Sequence, residues 1–127
     1  MGWVAVIVAA VAAYAFGAIW YMMLGRRWMA AAGVTEEDTR NAGPVPYVVS
    51  FLMALVVAGT IRHILAAGGI HGAWGGAVTG FGLGLFVAAP WVVNNVMFSN
   101  RDRSLIWMDG AYPVIGCTLI GVVLGLF

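Results

Sequence analysis

Apolar residues along this chain follow neither the alternation of a half-buried strand nor the single stripe of a surface helix. They run on in four blocks, Trp3 to Leu24, Tyr47 to Ala67, Ala73 to Phe98 and Leu105 to Phe127, parted by short polar stretches. At 1.5 Å of rise per residue, about 20 apolar residues cross the roughly 30 Å hydrocarbon layer of a bilayer, and every block is that long. Lipid offers no partner for backbone N–H and C=O groups, so each block predicts a helix that closes its own hydrogen bonds. The expectation is an all-α membrane protein, a four-transmembrane-helix bundle. It forms one domain over residues 1–127, with helices at about 3–24, 47–67, 73–98 and 105–127. Ala13-Tyr14-Ala15 has the small-residue look of a signal-cleavage site. No positive charge precedes the apolar run, however, and the run continues past it, which predicts retention as the first span.

The longest polar stretch, residues 25–46, has structure of its own. Thr35-Glu36-Glu37-Asp38 places a threonine N-cap before acidic residues suited to a first helical turn, with a carboxylate three positions after the cap. A short surface helix from about Glu36 to Ala42 follows, broken by Gly43-Pro44-Val45-Pro46. Trp28, Met29 and Ala30 to Ala32 are expected along the membrane interface.

Composition narrows the functional classes. At 63% hydrophobic and 9% charged, the 127 residues cannot cover a soluble core with polar groups. A net charge of +1 without any basic tract argues against nucleic acid as a partner. The lone Cys117 lacks a second thiol and reads as a small packing residue. Arg26, Arg27, Arg40, Arg101 and Arg103 fall in the two connections that an even number of crossings places on one side, and only Arg62 falls near the other. The positive-inside bias therefore predicts those connections in the cytoplasm and both termini outside, in a multi-pass membrane protein.

Small residues mark packing faces. Gly72, Gly76, Gly80 and Gly84 recur every four residues on the third block, a ridge on which another backbone can sit closely. Ala5, Ala9, Ala13 and Gly17 form a similar ridge on the first block, and Cys117, Gly121 and Gly125 a shorter one on the fourth. Ridges on three of four helices imply a homo-oligomer or another membrane protein as partner, unless one compact bundle uses them all.

Asp109 is the sharpest polar feature, since a carboxylate within a span costs about 2.5–3.5 kcal/mol at the bilayer centre. It lies about 6 Å inside the fourth helix. Asn94 and Asn95 on the third helix, and Trp20 and Tyr21 on the first, are expected at the same depth, with Tyr112 one turn along on Asp109's face. These six residues form a candidate intramembrane polar cluster, either a hydrogen-bonded clamp between helices or a cation or proton site. Arg62 and His63 form a second candidate pair near the outer face, about 22 Å from the start of the second helix and out of reach of Asp109. Two histidines, His63 and His71, without a third ligand give no metal site, and seven dispersed methionines read as packing. No cofactor is expected, and no nucleophile–base or phosphate-loop pattern marks an enzyme.

Gly17-Ala18-Ile19-Trp20-Tyr21, Gly25-Arg26-Arg27-Trp28-Met29, Gly33-Val34-Thr35-Glu36-Glu37-Asp38 and Asp109-Gly110-Ala111-Tyr112 occur in this order. On these segments the chain resembles the small bacterial membrane proteins grouped as DUF1761. The family's function is unknown, so the resemblance implies a fold and a membrane location and no activity, while marking Trp20, Tyr21, Asp109 and Tyr112. Three functions then compete. The first is a self-associating structural or accessory subunit; the second is an oligomeric small-solute or proton-coupled transporter using Asp109; the third is a membrane redox or metal protein.

Overall fold

A computed structural model describes residues 2–127. Its helices are α1 (Gly2–Ala32), α2 (Glu36–Ala42), α3 (Val45–Gly68), α4 (Gly72–Phe98) and α5 (Ser104–Leu126). All but α2 are long and apolar enough to cross a membrane, and no strand occurs among the described residues. This is a multi-pass all-α membrane protein. Both ends of the chain lie at one end of the bundle, here the termini end. The α1–α3 and α4–α5 connections lie at the other, the loop end.

The first span is longer than its apolar block. Helix α1 continues without a break through Gly25, Arg26 and Arg27 to Ala32, so the stretch expected along the interface is its last two turns. Arginine and alanine are strong helix formers, and a single glycine costs only about 1 kcal/mol, which the packing of this end offsets. At about 46 Å the helix outruns the hydrocarbon layer. The stop comes at Gly33, whose φ of 71° sends the chain left-handed and lets the Val34 amide close on the Met29 carbonyl at 3.0 Å. Helix α2 follows with a complete capping box. The Asp38 amide donates to Thr35 Oγ1 and the Thr35 amide donates to Asp38 Oδ2, each at 3.0 Å.

Helix α4 carries a local irregularity of identifiable cause. Residues Gly84–Ala88 form a π-helical turn, in which the Ala89 amide reaches back to the Gly84 carbonyl. Pro90 follows at once. Its nitrogen has no proton to give, and its ring crowds the carbonyl four residues earlier, so the ladder takes up one extra residue before it.

Helix α5 is central and touches the other three spans, whereas α4 rests chiefly on α5 and α3 chiefly on α1. The α4–α5 seam is made of backbone. A Cβ placed on Gly76 would stand 1.9 Å from the Gly121 carbonyl oxygen, one on Gly80 2.0 Å from that of Cys117, and one on Gly84 2.6 Å from that of Pro113. In the reverse direction a Cβ on Gly125 would meet the Gly72 carbonyl oxygen at 2.2 Å. The ridges of the third and fourth spans therefore face each other within one chain. The first-span ridge is also spent internally: Ala5, Ala9, Ala13 and Gly17 are buried, the alanines in a core with Ala54, Ala58, Ile61, Cys117, Ile120 and Leu124. The step from three ridges to a second subunit loses its premise, because one bundle consumes all of them. A second, smaller core of Val96, Leu105 and Met108 closes the loop end, with Leu24 and Trp28 packed against it.

Candidate functional site

The site is built where α1 crosses the loop-end half of α5. Pro113 shapes α5 there, since it withholds the N–H that would pair with the Asp109 carbonyl and its ring crowds that oxygen. Met108, one residue earlier, turns its carbonyl to a side-chain donor: Trp20 Nε1 donates to it at 2.8 Å. The Asp109 carboxylate beside it takes two donors on one oxygen. Tyr21 Oη donates to Asp109 Oδ1 at 2.7 Å and Trp28 Nε1 donates to the same atom at 2.9 Å. Both donors are neutral groups on α1, so the two bonds tie the first span to the last on a single oxygen.

Aromatic rings pack around this carboxylate. Tyr21 meets Trp28 edge-on at 5.8 Å and Tyr112 edge-on at 5.5 Å between centroids, while Phe16 stacks on Tyr112 at 6.1 Å. Trp20 meets Trp107 edge-on at 6.4 Å. Tyr112 reaches this position because Gly17 lies under it; a Cβ there would stand 2.7 Å from the tyrosine ring. Tyr21, Asp109 and Tyr112 are each partly exposed. Among the described residues no side chain donates to Asp109 Oδ2, so that oxygen is free to accept from a cation or take up a proton.

Of the six residues expected at this depth, the structure joins four, Trp20, Tyr21, Asp109 and Tyr112. Asn94 and Asn95 stand apart. On α4 the buried position is Val96, with Val92 one turn before it packed on the same core, and 94 and 95 are turned away from that face and exposed. The Asn95 carbonyl instead accepts the Ser99 hydroxyl. Trp28 takes the place assigned to the asparagines. Its signal was its position seven residues after Tyr21, two turns on and on the same face, which is visible only if the helix is carried through Arg26-Arg27.

Arg62 and His63 are exposed at the termini end, and the Arg62 guanidinium lies over Gly2, where a Cβ would meet its Nε at 2.7 Å. His71 is exposed at the start of α4. Among the described residues no three His, Cys, Asp or Glu side chains gather within metal-binding reach of one another.

At the membrane surface, two carboxylates serve as backbone caps. The Thr35 amide and hydroxyl hold the Asp38 carboxyl below the usual aspartate range, and the Ser104 hydroxyl and amide do the same for Asp102.

No curated protein and no solved structure matches this chain. Residues 4–125, nearly the whole length, match the family described as Protein of unknown function (DUF1761), and the chain belongs to that family.

Proposed function

We propose that the protein is a non-catalytic membrane subunit, self-associating or accessory to another membrane protein, in which Asp109 fastens the first span to the last. The observation that carries this reading is the convergence of the Tyr21 and Trp28 donors from α1 on one carboxylate oxygen of α5. A carboxylate oxygen that accepts from two donors on the neighbouring helix fixes the two spans against each other, as suits a joint. Self-association draws on the wide apolar faces that α3 and α4 leave exposed, including Val56, Phe86 and Trp91. The loop end faces the cytoplasm of a bacterial inner membrane, in keeping with five of the six arginines at that end. The test is to compare wild type, Asp109→Asn and Asp109→Ala for melting temperature and for mass in detergent. The reading expects the alanine variant to lose about 1–2 kcal/mol and the asparagine variant less. Unchanged stability and assembly in both would sink it.

A second reading, proton- or cation-coupled transport, draws on Asp109 Oδ2, which has no donor among the described residues. Flux into vesicles that vanishes in Asp109→Asn at unchanged stability would favour it.

A further inference from the structure

The bundle has two cores, and they are unequal. The larger buries eleven side chains from α1, α3 and α5 towards the termini end, and the smaller buries only Val96, Leu105 and Met108 at the loop end. Helix α3 serves the first alone. Its buried positions stop at Ala54, and every residue from Pro44 to Ser50 is exposed, with a cleft left beside Tyr14. The smaller core draws only on the α4–α5 hairpin and on Leu24, Trp28, Ala31 and Ala32 of α1. Three side-chain bonds from α1, one to the Met108 carbonyl and two to Asp109, complete its hold.

Between the two cores both helices of the hairpin are weakened at one level. Along the seam Gly76 meets Gly121, Gly80 meets Cys117 and Gly84 meets Pro113, so each turn of α4 matches one turn of α5. The π turn Gly84–Ala88 therefore runs beside Asp109–Pro113. Pro90 withholds the amide that would bond the Phe86 carbonyl, and Pro113 withholds the one that would bond the Asp109 carbonyl. Bending a helix in lipid is costly because a broken backbone bond finds no other partner. Here one ladder bond on each helix is already absent, and helices kink at prolines and π turns for that reason.

We infer that Gly84–Ala88 and Pro113 form one hinge, on which the loop-end part of the α4–α5 hairpin swings away from α1, with the Tyr21 and Trp28 bonds to Asp109 as its latch. Asp109 precedes Pro113 by one turn towards the loop end, so it travels with the moving arm while both donors stay on α1. The small number of side chains buried at that end keeps the cost of opening low, since the least buried units of a fold open first. Opening frees Asp109 Oδ1 from both donors and turns the carboxylate towards the loop end. That is the change of access which the second reading of Asp109 requires.

The inference rests on Asp109 joining α1 to α5, and its test reads movement apart from stability. Full-length protein with Cys117→Ala is spin-labelled in lipid nanodiscs at Ala30→Cys with Met97→Cys for the loop end, and at Val4→Cys with Val78→Cys for the termini end. Pulsed electron–electron resonance then reads each distance. With the latch intact, each pair is expected to give one dominant distance. Tyr21→Phe combined with Trp28→Phe is expected to add a second population to the loop-end pair only. The arm Ala89–Phe98 is about 15 Å long, so a turn of about 20° lengthens that distance by about 5 Å. Adding Pro113→Ala gives the Asp109 carbonyl its amide back, and is expected to remove the longer population. A single loop-end distance in the latch variant, equal broadening at both ends, or a longer population that survives Pro113→Ala overturns the hinge. Asp109→Ala separates hinge from joint. A lower melting temperature with one loop-end distance leaves the joint standing and overturns the hinge, whereas an unchanged melting temperature with a second distance supports the hinge and sinks the joint.

Discussion

Helix α5 is gripped on two sides by opposite means. Against α4 it presents almost no side chain: Gly76, Gly80 and Gly84 meet Gly121, Cys117 and Pro113 backbone to backbone. Against α1, at the loop end, it presents large groups, with Asp109 receiving a tyrosine and a tryptophan inside a ring of aromatics. In lipid there is no hydrophobic drive to bring two apolar helices together, so association must come from dispersion at close range or from polar bonds. The seam uses the first and the joint uses the second. The first tolerates no added atom, while the second tolerates loss of a single bond.

The largest effect is expected at the seam. Gly121→Ala sets a methyl 1.9 Å from the Gly76 carbonyl oxygen, a rigid neighbour, so the helices must part. A loss of about 3 kcal/mol is expected in reversible unfolding from mixed micelles. Gly82→Ala on the facing helix α4 meets nothing within 4 Å and is expected to be neutral or to stabilise by up to about 1 kcal/mol. Equal outcomes for the two would erase the contrast between seam and surface.

At the joint, Tyr21→Phe and Trp28→Phe each remove one of two bonds to the same oxygen. Each is expected to cost about 1 kcal/mol, with a double variant that departs from the sum because the carboxylate is stranded only when both donors are gone. Strict additivity in a double-mutant cycle would mean that the two bonds do not act through Asp109. Asn94→Leu and Asn95→Leu sharpen the comparison from outside it. Both side chains are exposed, so changes within about 0.5 kcal/mol are expected. A larger loss would return them to the cluster.

The smallest effect concerns the connection between α1 and α3. The Asp38 carboxyl is held below its usual range in the folded chain, so its capping of α2 is fully present above the ordinary aspartate pKa of about 4. It is lost as pH falls through the depressed folded value. Amide exchange in Glu36–Ala42 should accelerate there in wild type, while Asp38→Asn should remove the pH response.

Some of this was readable before any coordinates. The spans follow from block length, and α2 from the Thr35-to-Asp38 pattern, because a cap is a local interaction between residues three apart. The level shared by Trp20, Tyr21 and Asp109 followed from rise per residue. Two things resisted. The reach of α1 to Ala32 was hidden by Arg26 and Arg27, which end an apolar block without ending a helix. The rotation of α4, which exposes Asn94 and Asn95, depends on how its π turn and its packing set the face that Val96 occupies.

The chain's order of residues was enough to establish its solvent, its four crossings and the depth of its one intramembrane acid, because these depend on length, polarity and helical rise counted along a single segment. Which small-residue ridge meets which, that Trp28 and no asparagine reaches Asp109, and that α3 leaves a cleft beside Tyr14 were decided only by the folded arrangement. Such contacts depend on the rotation of each helix about its axis, and that angle is set jointly by every neighbour rather than by the helix's own sequence.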